Sequence, residues 1–231
     1  DRASVDAVIN DLDEFAVEEA LKIVEAHSPT GEAGEGSGHT ITIISMGPER
    51  TVEAVRKALS MGADDAIVVT DDALAGSDAL ATSKVLAAVI KEGGYDIVLC
   101  GTESTDARMS VVPAMLAERL GSAQLTFAGS VKVDGTNVSI ARQTEFGVEQ
   151  MSAPMPVIIS VVEKINEPRY PSFKGIMAAK KKVIESRDLA AVGVSVDSAW
   201  SLVADSSPRP PRAAGIKISD DNAADQMVSF L

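Results

Sequence analysis

Three short apolar runs, each leading into a helical pattern, constrain this chain more than any other feature. They are "TITIISMG" (Thr40 to Gly47), "DAIVVT" (Asp65 to Thr70) and "YDIVLCG" (Tyr95 to Gly101). Each is rich in β-branched residues and nearly continuous in apolar character, as strands buried on both faces are. "ERTVEAVRKALSMGA" follows the first, with Val52, Val55, Leu59 and Met61 on its inner side. After the second, a Ser77 cap opens a helix that runs to about Lys91 and stops at Gly93 and Gly94. "SVVPAMLAERLG" follows the third, with Pro113 tolerated in its first turn. Strands alternating with helices predict an α/β fold, a three-layer arrangement of parallel sheet with helices on both faces. Ligands in such sheets sit beyond the carboxyl ends of the strands. Those ends are "SMGPE", "TDDAL" and "GTESTDARMS".

Ahead of the first strand, Asp11 and Glu14 make a D-x-x-E capping box. Ala16, Val17, Ala20, Leu21 and Val24 then recur at helical spacing. "GEAGEGSGH" links that helix to the first strand. After the third helix the pattern changes. "FAGSVKVDGTNVSIARQTEFGVEQM" alternates apolar and polar residues, with turn signals at Asp134-Gly135 and Phe146-Gly147, and predicts an antiparallel excursion. "PVIISVV" (Pro156 to Val162) returns to a buried strand. Beyond Ile184 the chain reads as a polar tail with "SPRPPRAAGIKI" and a final amphipathic patch ending "QMVSFL". The "PRPPR" within it (Pro208 to Arg212) fits a polyproline recognition segment or an extended arm.

Composition excludes several classes. The chain carries 34 acidic against 21 basic side chains, a formal net charge of -13. A nucleic-acid binder needs a basic face, so that class is set aside. One cysteine, Cys100, excludes an internal disulfide, and His27 and His39 are too few for a histidine metal site. The cysteine usage fits a reducing, cytoplasmic setting. No apolar run reaches the length of a membrane span, and the opening residues do not read as a signal peptide. Neither histidine neighbours a nucleophile elbow, and Asp71-Asp72 and Asp220-Asp221 read as turn charges. The expectation is therefore a protein without catalytic residues of its own.

Two stretches carry a functional signal. Gly101 to Met109 leaves a strand and enters a helix, offering the hydroxyls of Thr102, Ser104, Thr105 and Ser110 and the helix-start N–H groups of Ser110, Val111 and Val112. That suits a phosphate, and it equally suits an ordinary polar crossover. Neither G-x-G-x-x-G nor G-x-x-x-x-G-K-[ST] is present. The second stretch is "NEPRYPSFKGIMAAKKK" (Asn166 to Lys182). Pro168 and Pro171 hold it extended. Phe173 lies at its tip, ahead of a short helix closed by Lys180, Lys181 and Lys182. A stiff loop presenting one large apolar side chain beside charge suits a partner anchor, while a crossover with Phe173 in the core is the other reading.

At these residues the chain resembles the β subunit of electron transfer flavoprotein, whose signature reads N-E-P-R-[YF]-x-[ST]-L-x-x-I-M-x-A-K-K-K. "NDLDEFAVEEALKI", "GPERTVEAVRKALSMGADDAI", "YDIVLCG" and "PPRAAGIKI" resemble further segments of that family in order, so nearly the whole chain is covered. The family opens with a strand of the form V-x-V-x-V-K-x-V about thirty residues before the position of Asn10, and no such strand stands in this sequence. The expectation is that this chain lacks or omits it, and that it resembles an actinobacterial member.

The resemblance implies an adenine nucleotide alpha-hydrolase-like domain over residues 1–184, including a recognition loop at 161–183. It implies a C-terminal arm at 185–231 that contacts an alpha subunit. It implies a heterodimer in which the alpha subunit carries most of an FAD site and this chain holds an AMP structurally, or a second FAD in bifurcating members. Carried over by position, the cofactor-binding residues are Asn10, Asp11, Leu12, Asp13, Met46, Gly101, Thr102, Glu103, Ser104, Thr105, Asp106, Ser110, Val111 and Val112. The family's D-x-x-N-Q-T-G loop is replaced from Asp106 to Pro113, so Ser110, Val111 and Val112 stand where Asn, Gln and Thr stand in the family. The trailing Val112-Pro113 is nearer to the Q-V-G-P form of bifurcating members, whose D-G-D-T-A is not here. The recognition loop docks acyl-CoA and other flavin dehydrogenases, with Tyr170, Phe173, Ile176, Met177 and Lys181 as docking residues. Phe173 takes the place of the family's anchoring leucine. Gln143 takes that of a hairpin glutamate that influences placement of the FAD domain. The implied role is electron carriage in fatty acid β-oxidation, from those dehydrogenases toward a quinone oxidoreductase. A free-standing adenine-nucleotide module of the universal-stress type is the competing reading, since a parallel sheet alone permits it.

Overall fold

Helix α1 (Asp11–His27) turns Ala16, Val17, Leu21 and Val24 inward and also buries Glu18 and Glu19, leaving Asp11, Lys22, Ala26 and His27 exposed. The chain then runs through β1 (Thr42–Met46), α2 (Thr51–Met61), β2 (Asp65–Val69), α3 (Ala79–Gly93), β3 (Ile97–Gly101) and α4 (Val112–Leu120). β4 (Ala123–Ala128) leads into β5 (Ser130–Asp134), β6 (Asn137–Thr144) and β7 (Gly147–Pro154), and β8 (Val157–Val161) returns to the core. α5 (Phe173–Lys181), β9 (Glu185–Arg187), α6 (Leu189–Val192) and α7 (Ala223–Phe230) complete the order. This is a computed structural model, and it describes residues 7–34, 36–196, 200–201, 204–205, 207, 209–212, 215 and 222–230.

The strands form two parallel sheets and one antiparallel sheet, in the orders β1-β2-β9, β3-β8-β4 and β5-β6-β7. Helices flank the parallel strands as the alternating pattern predicts. No hydrogen-bonded pairing joins β1 to β3; helices bridge them instead. On one side Ile44 of β1 packs with Val98 and Cys100 of β3 against Ala87 and Ile90 of α3 and Leu116 of α4. On the other, Val17 and Leu21 of α1 pack with Ile43 of β1 and with Ala58 and Leu59 of α2. Each fully buried Leu, Ile or Val contributes about 1.5–3 kcal/mol, so these two layers hold the sheets in place.

This arrangement corrects one expectation. β2 and β8 are buried almost throughout, but β1 and β3 are only half-buried along most of their length. Among the described residues, each pairs on one side only and stands at the edge of its own sheet. An apolar run does not reveal whether its second flank is filled.

Helix starts also differ from expectation. Asp11 and Glu14 do not form a capping box. Asn10 occupies the cap position without a side-chain cap bond, because its amide is used elsewhere. Ser77 does not cap α3. Its hydroxyl donates to the Leu74 carbonyl at 2.7 Å, while Asp78 accepts the Ala81 N–H at 2.9 Å. Gly94, in the left-handed region at φ 61°, ends that helix.

The antiparallel excursion forms as its alternation predicts. Val138 and Ile140 of β6 point inward and pack with Leu125, Val157 and Ile159, while β7 is largely exposed. Past Ile184 the chain is not yet a tail. β9 pairs with β2 in parallel, and Leu189 of α6 packs against Val69 and Val85. "ESR" is too short and too polar to announce a strand. Pro208 and residues 216–221 lie outside the described residues, and residues 209–212 are exposed without regular structure. "QMVSFL" belongs to α7 as far as Phe230, and Leu231 lies outside the described residues.

A close backbone approach joins α1 to β3. A Cβ on Gly101 would stand 2.6 Å from the carbonyl carbon of Leu12 and 2.9 Å from the amide nitrogen of Asp13. Both are backbone atoms and cannot rotate away. Gly101→Ala should therefore lower the unfolding free energy by about 1–3 kcal/mol, as overpacking does. Urea unfolding should show an earlier midpoint with an unchanged slope.

Candidate functional site

The first turn of α1 and the loop that follows β3 are knitted into one unit. Asp13 Oδ1 accepts the Gly101 N–H at 2.7 Å. The Asn10 amide donates to the Glu103 carbonyl and to Asp13 Oδ2, each at 2.9 Å, and its oxygen accepts the Thr105 N–H at 3.1 Å. This is why Asn10 leaves α1 uncapped. Thr102 Oγ1 donates to the Val161 carbonyl at 2.7 Å and fastens the loop to β8. Ser104 accepts through its hydroxyl from the Ala107 N–H and through its carbonyl from the Arg108 N–H. Asp11 is exposed, Leu12 contributes backbone to the Gly101 contact, and Asp106 lies exposed on the loop.

The loop ends in strained backbone. Arg108 and Ser110 hold φ values of 50° and 55°, where side chains other than glycine are uncommon. Val111 follows in the right-handed region as the cap of α4. A left-handed residue before a right-handed one is the pairing from which anion-binding nests are built. Among the described residues, the Val111 and Val112 N–H groups donate to no protein acceptor. The Ser110 hydroxyl donates to Glu103 Oε2 at 2.7 Å. A carboxylate thus already sits beside the start of α4.

Of the residues expected to bind a cofactor, the structure brings together Asn10, Leu12, Asp13, Gly101, Glu103 and Thr105, with Ser110 joined through Glu103. Met46 packs instead into the apolar cluster of Ile67, Val69 and Val85. Burial raises the Asp13 carboxyl above its usual range, against the lowering effect of its bonds from Asn10 and Gly101. Desolvation, helped by the Asp13 charge, pushes the Cys100 thiol up to about 12. Cys100 is therefore a neutral thiol near neutral pH and a poor nucleophile. Among the described residues, no group of three or more His, Cys, Asp or Glu side chains is placed to hold a metal ion.

The second feature is the stretch from Asn166 to Lys182. Its front end is held on α1. Arg169 forks onto Glu18 through Nε at 2.7 Å and Nη2 at 2.9 Å, and onto Glu25 through Nη1 at 2.6 Å and Nη2 at 3.1 Å. The Asn166 amide donates to the Phe15 carbonyl and to Glu19, each at 3.0 Å. Its back end is held on α2. Arg56 donates to the Ala179 carbonyl at 2.5 Å, and Lys182 Nζ to the Ala63 carbonyl at 2.6 Å. A Cβ on Gly175 would lie 2.5 Å from the Ser60 carbonyl oxygen, so α5 lies directly on α2. Ser172 caps α5 by accepting the Gly175 N–H at 3.0 Å.

Between these anchors the loop presents its apolar side chains to solvent. Tyr170 is 97% and Phe173 79% exposed, which excludes a core role for Phe173. Ile176 and Met177 are also exposed, and Lys180 and Lys181 stand free at the end of α5. Lys182 turns inward and belongs to the scaffold. Gln143 lies exposed in β6, its amide donating to the Thr144 carbonyl at 3.1 Å.

Sequence reasoning missed Arg169, Asn166, Glu18 and Glu25. A signal existed. Glu18 and Glu25 are seven residues apart, two turns of one face, beside the buried Leu21. Acidic residues beside an apolar stripe call for a cation from elsewhere in the chain.

Comparison with known proteins agrees with this architecture. Residues 1–192 match the model of the electron transfer flavoprotein domain. The chain is 46% identical over 238 aligned positions to the electron transfer flavoprotein subunit beta of Mycobacterium leprae, covering all of this chain and 88% of the relative. The Mycobacterium tuberculosis protein of the same name is 45% identical with the same coverage. That of Megasphaera elsdenii is 35% identical, over 96% of this chain and 84% of its own length. The chain belongs to the electron transfer flavoprotein family, among its beta subunits.

Proposed function

We propose that this chain pairs with an alpha subunit and serves as the docking and scaffolding half of an electron carrier. It accepts electrons from flavin dehydrogenases of the acyl-CoA class and relays them toward a quinone oxidoreductase in the cytoplasm. The observation that carries the reading is the exposed pair Tyr170 and Phe173 on a loop clamped at both ends. A large aromatic held ready on a rigid support loses little entropy on docking. FAD, held mainly by the alpha subunit, supplies the electron-carrying chemistry. The residues of this chain bind and orient, and the reading assigns no acid–base or covalent role to any of the described residues. Among the described residues no helix is long and apolar enough to cross a membrane.

The loop from Gly101 to Val112 is the proposed seat of AMP. Its support is the run of backbone donors: beside the turn at Ser110 and Val111, the N–H groups of Val111 and Val112 have no protein acceptor among the described residues, at the positive end of α4. The phosphate would be held there by backbone, since Val111 and Val112 offer no polar side chain. Asn10, Asp13 and Gly101 hold the loop in shape. Glu103 opposes the phosphate, because its carboxylate bonds to Ser110 at the mouth of the same turn. Two anions side by side repel, so AMP requires Glu103 to move aside.

Two outcomes follow. Phe173→Ala should raise the apparent KM of a dehydrogenase for the αβ complex by about tenfold, the loss of a hot-spot side chain, with FAD content and heterodimer intact. Steady-state kinetics with the flavoprotein as varied substrate measures it, and an unchanged KM would count against the docking role. Glu103→Gln removes the competing charge and keeps the hydrogen bond to Ser110. It should increase the AMP retained per αβ complex, with affinity improved by about fivefold to tenfold for one relieved contact of this kind. Acid extraction followed by chromatographic identification of the nucleotide reads this out, and would also reveal a second FAD in place of AMP.

A further inference from the structure

We propose that Arg169, with Asn166, is a positioning residue for docking. It sets where Tyr170 and Phe173 stand without touching the partner. The proposal rests on the docking reading above and adds the device that makes the loop rigid.

Four observations carry it. Arg169 spends both edges of its guanidinium on α1, two bonds to Glu18 and two to Glu25, and its backbone N–H also donates to Glu18 at 3.1 Å. The Glu18 side chain is only 8% exposed, so the Glu18 end of this pairing is screened less by water and salt than a surface pair is. Asn166 sits one short step upstream, its amide shared between the Phe15 carbonyl and the buried Glu19. Downstream, Gly175 lies against the Ser60 carbonyl. Only Tyr170 to Lys174 span the interval between the two fixed points, and Pro171 removes a further backbone freedom.

The geometry separates support from contact. Arg169 faces inward and forward onto α1, whereas the adjacent Tyr170 is almost wholly exposed. A lone surface pair would add little. A planar fork held by two carboxylates fixes the orientation of the chain as well as its position, and lysine cannot reproduce it because it offers a point charge. Releasing the fork would leave the loop attached but free to swing. The partner would then meet the same side chains at a larger entropic cost.

The test uses the full chain assembled with its alpha subunit. Arg169→Lys keeps the charge and removes the fork. Glu25→Gln weakens one arm at a half-exposed position and guards against misfolding. Both should raise the apparent KM for the dehydrogenase about tenfold with kcat unchanged, the effect of lost preorganisation. Amide hydrogen exchange across residues 170–178 should quicken while that of β8 does not. In a Phe173→Ala background the Arg169 substitution should add almost nothing, because its effect passes through the side chain already removed. If Phe173→Ala raises KM and the Arg169 and Glu25 variants do not, or if their effects add to it in full, the positioning role is overturned. If Phe173→Ala itself changes nothing, the docking reading fails and the proposal falls with it.

Discussion

One hydrogen bond sets the frame for the rest: Asp13 Oδ1 accepting the Gly101 N–H at 2.7 Å. It brings the first turn of α1 against the end of β3 at a position where only glycine leaves room. With α1 seated there, Asn10 reaches the Glu103 carbonyl and the Thr105 N–H and shapes the loop ahead of α4. Further along the same helix, Glu18 and Glu25 meet Arg169. The loop after β3 and the stretch from Asn166 to Lys182 are thus supported by one element, and its placement depends on a contact between backbones.

The ion pairs divide by burial rather than by number. Arg142 with Glu149, and Arg187 with Glu92, join partly exposed side chains, and pairs of that kind are worth about 0–1 kcal/mol each. The Arg169 pairing differs because Glu18 is almost fully enclosed. Taking the cation away would strand a buried carboxylate, a change that costs about 3–5 kcal/mol in comparable settings. The hydrogen bonds it donates to Glu18 and then to Glu25 hold the Arg169 guanidinium protonated far beyond any physiological pH. In a chain of net charge -13, one arginine placed among acidic neighbours does more to organise structure than the scattered surface pairs do.

Much of this was legible in the sequence. The alternation of apolar runs with helical patterns led directly to parallel strands flanked by helices, and the two-residue alternation after Phe127 led to the antiparallel sheet. Segment order along the chain pointed to the family. What the residues did not disclose depends on distance in three dimensions. "TITIISMG" and "YDIVLCG" read as doubly covered strands, but coverage depends on which neighbour fills each flank. Asn10 looked like a ligand or the neighbour of a capping box, and Asp11 with Glu14 like the box itself. The amide of Asn10 is instead consumed by a loop more than ninety residues away. The polar "ESR" hid β9 because its pairing uses backbone alone. The exposure of Phe173 was one of two readings its stretch allowed, while the guanidinium that ties that stretch to α1 was hidden among ordinary charges.

The length of α1 gives its two attachments a mechanical relation. Glu25 lies twelve residues beyond Asp13, about 18 Å along the axis at the rise of an α-helix. A tilt of about 3° pivoted at Asp13 would carry the Glu25 end through roughly 1 Å, more than a charged hydrogen bond tolerates without weakening. The helix therefore works as a lever arm. Small angular errors at its fulcrum beside β3 are magnified at the far end, so the placement of the exposed Tyr170 and Phe173 is tied to how tightly a glycine is packed some distance away.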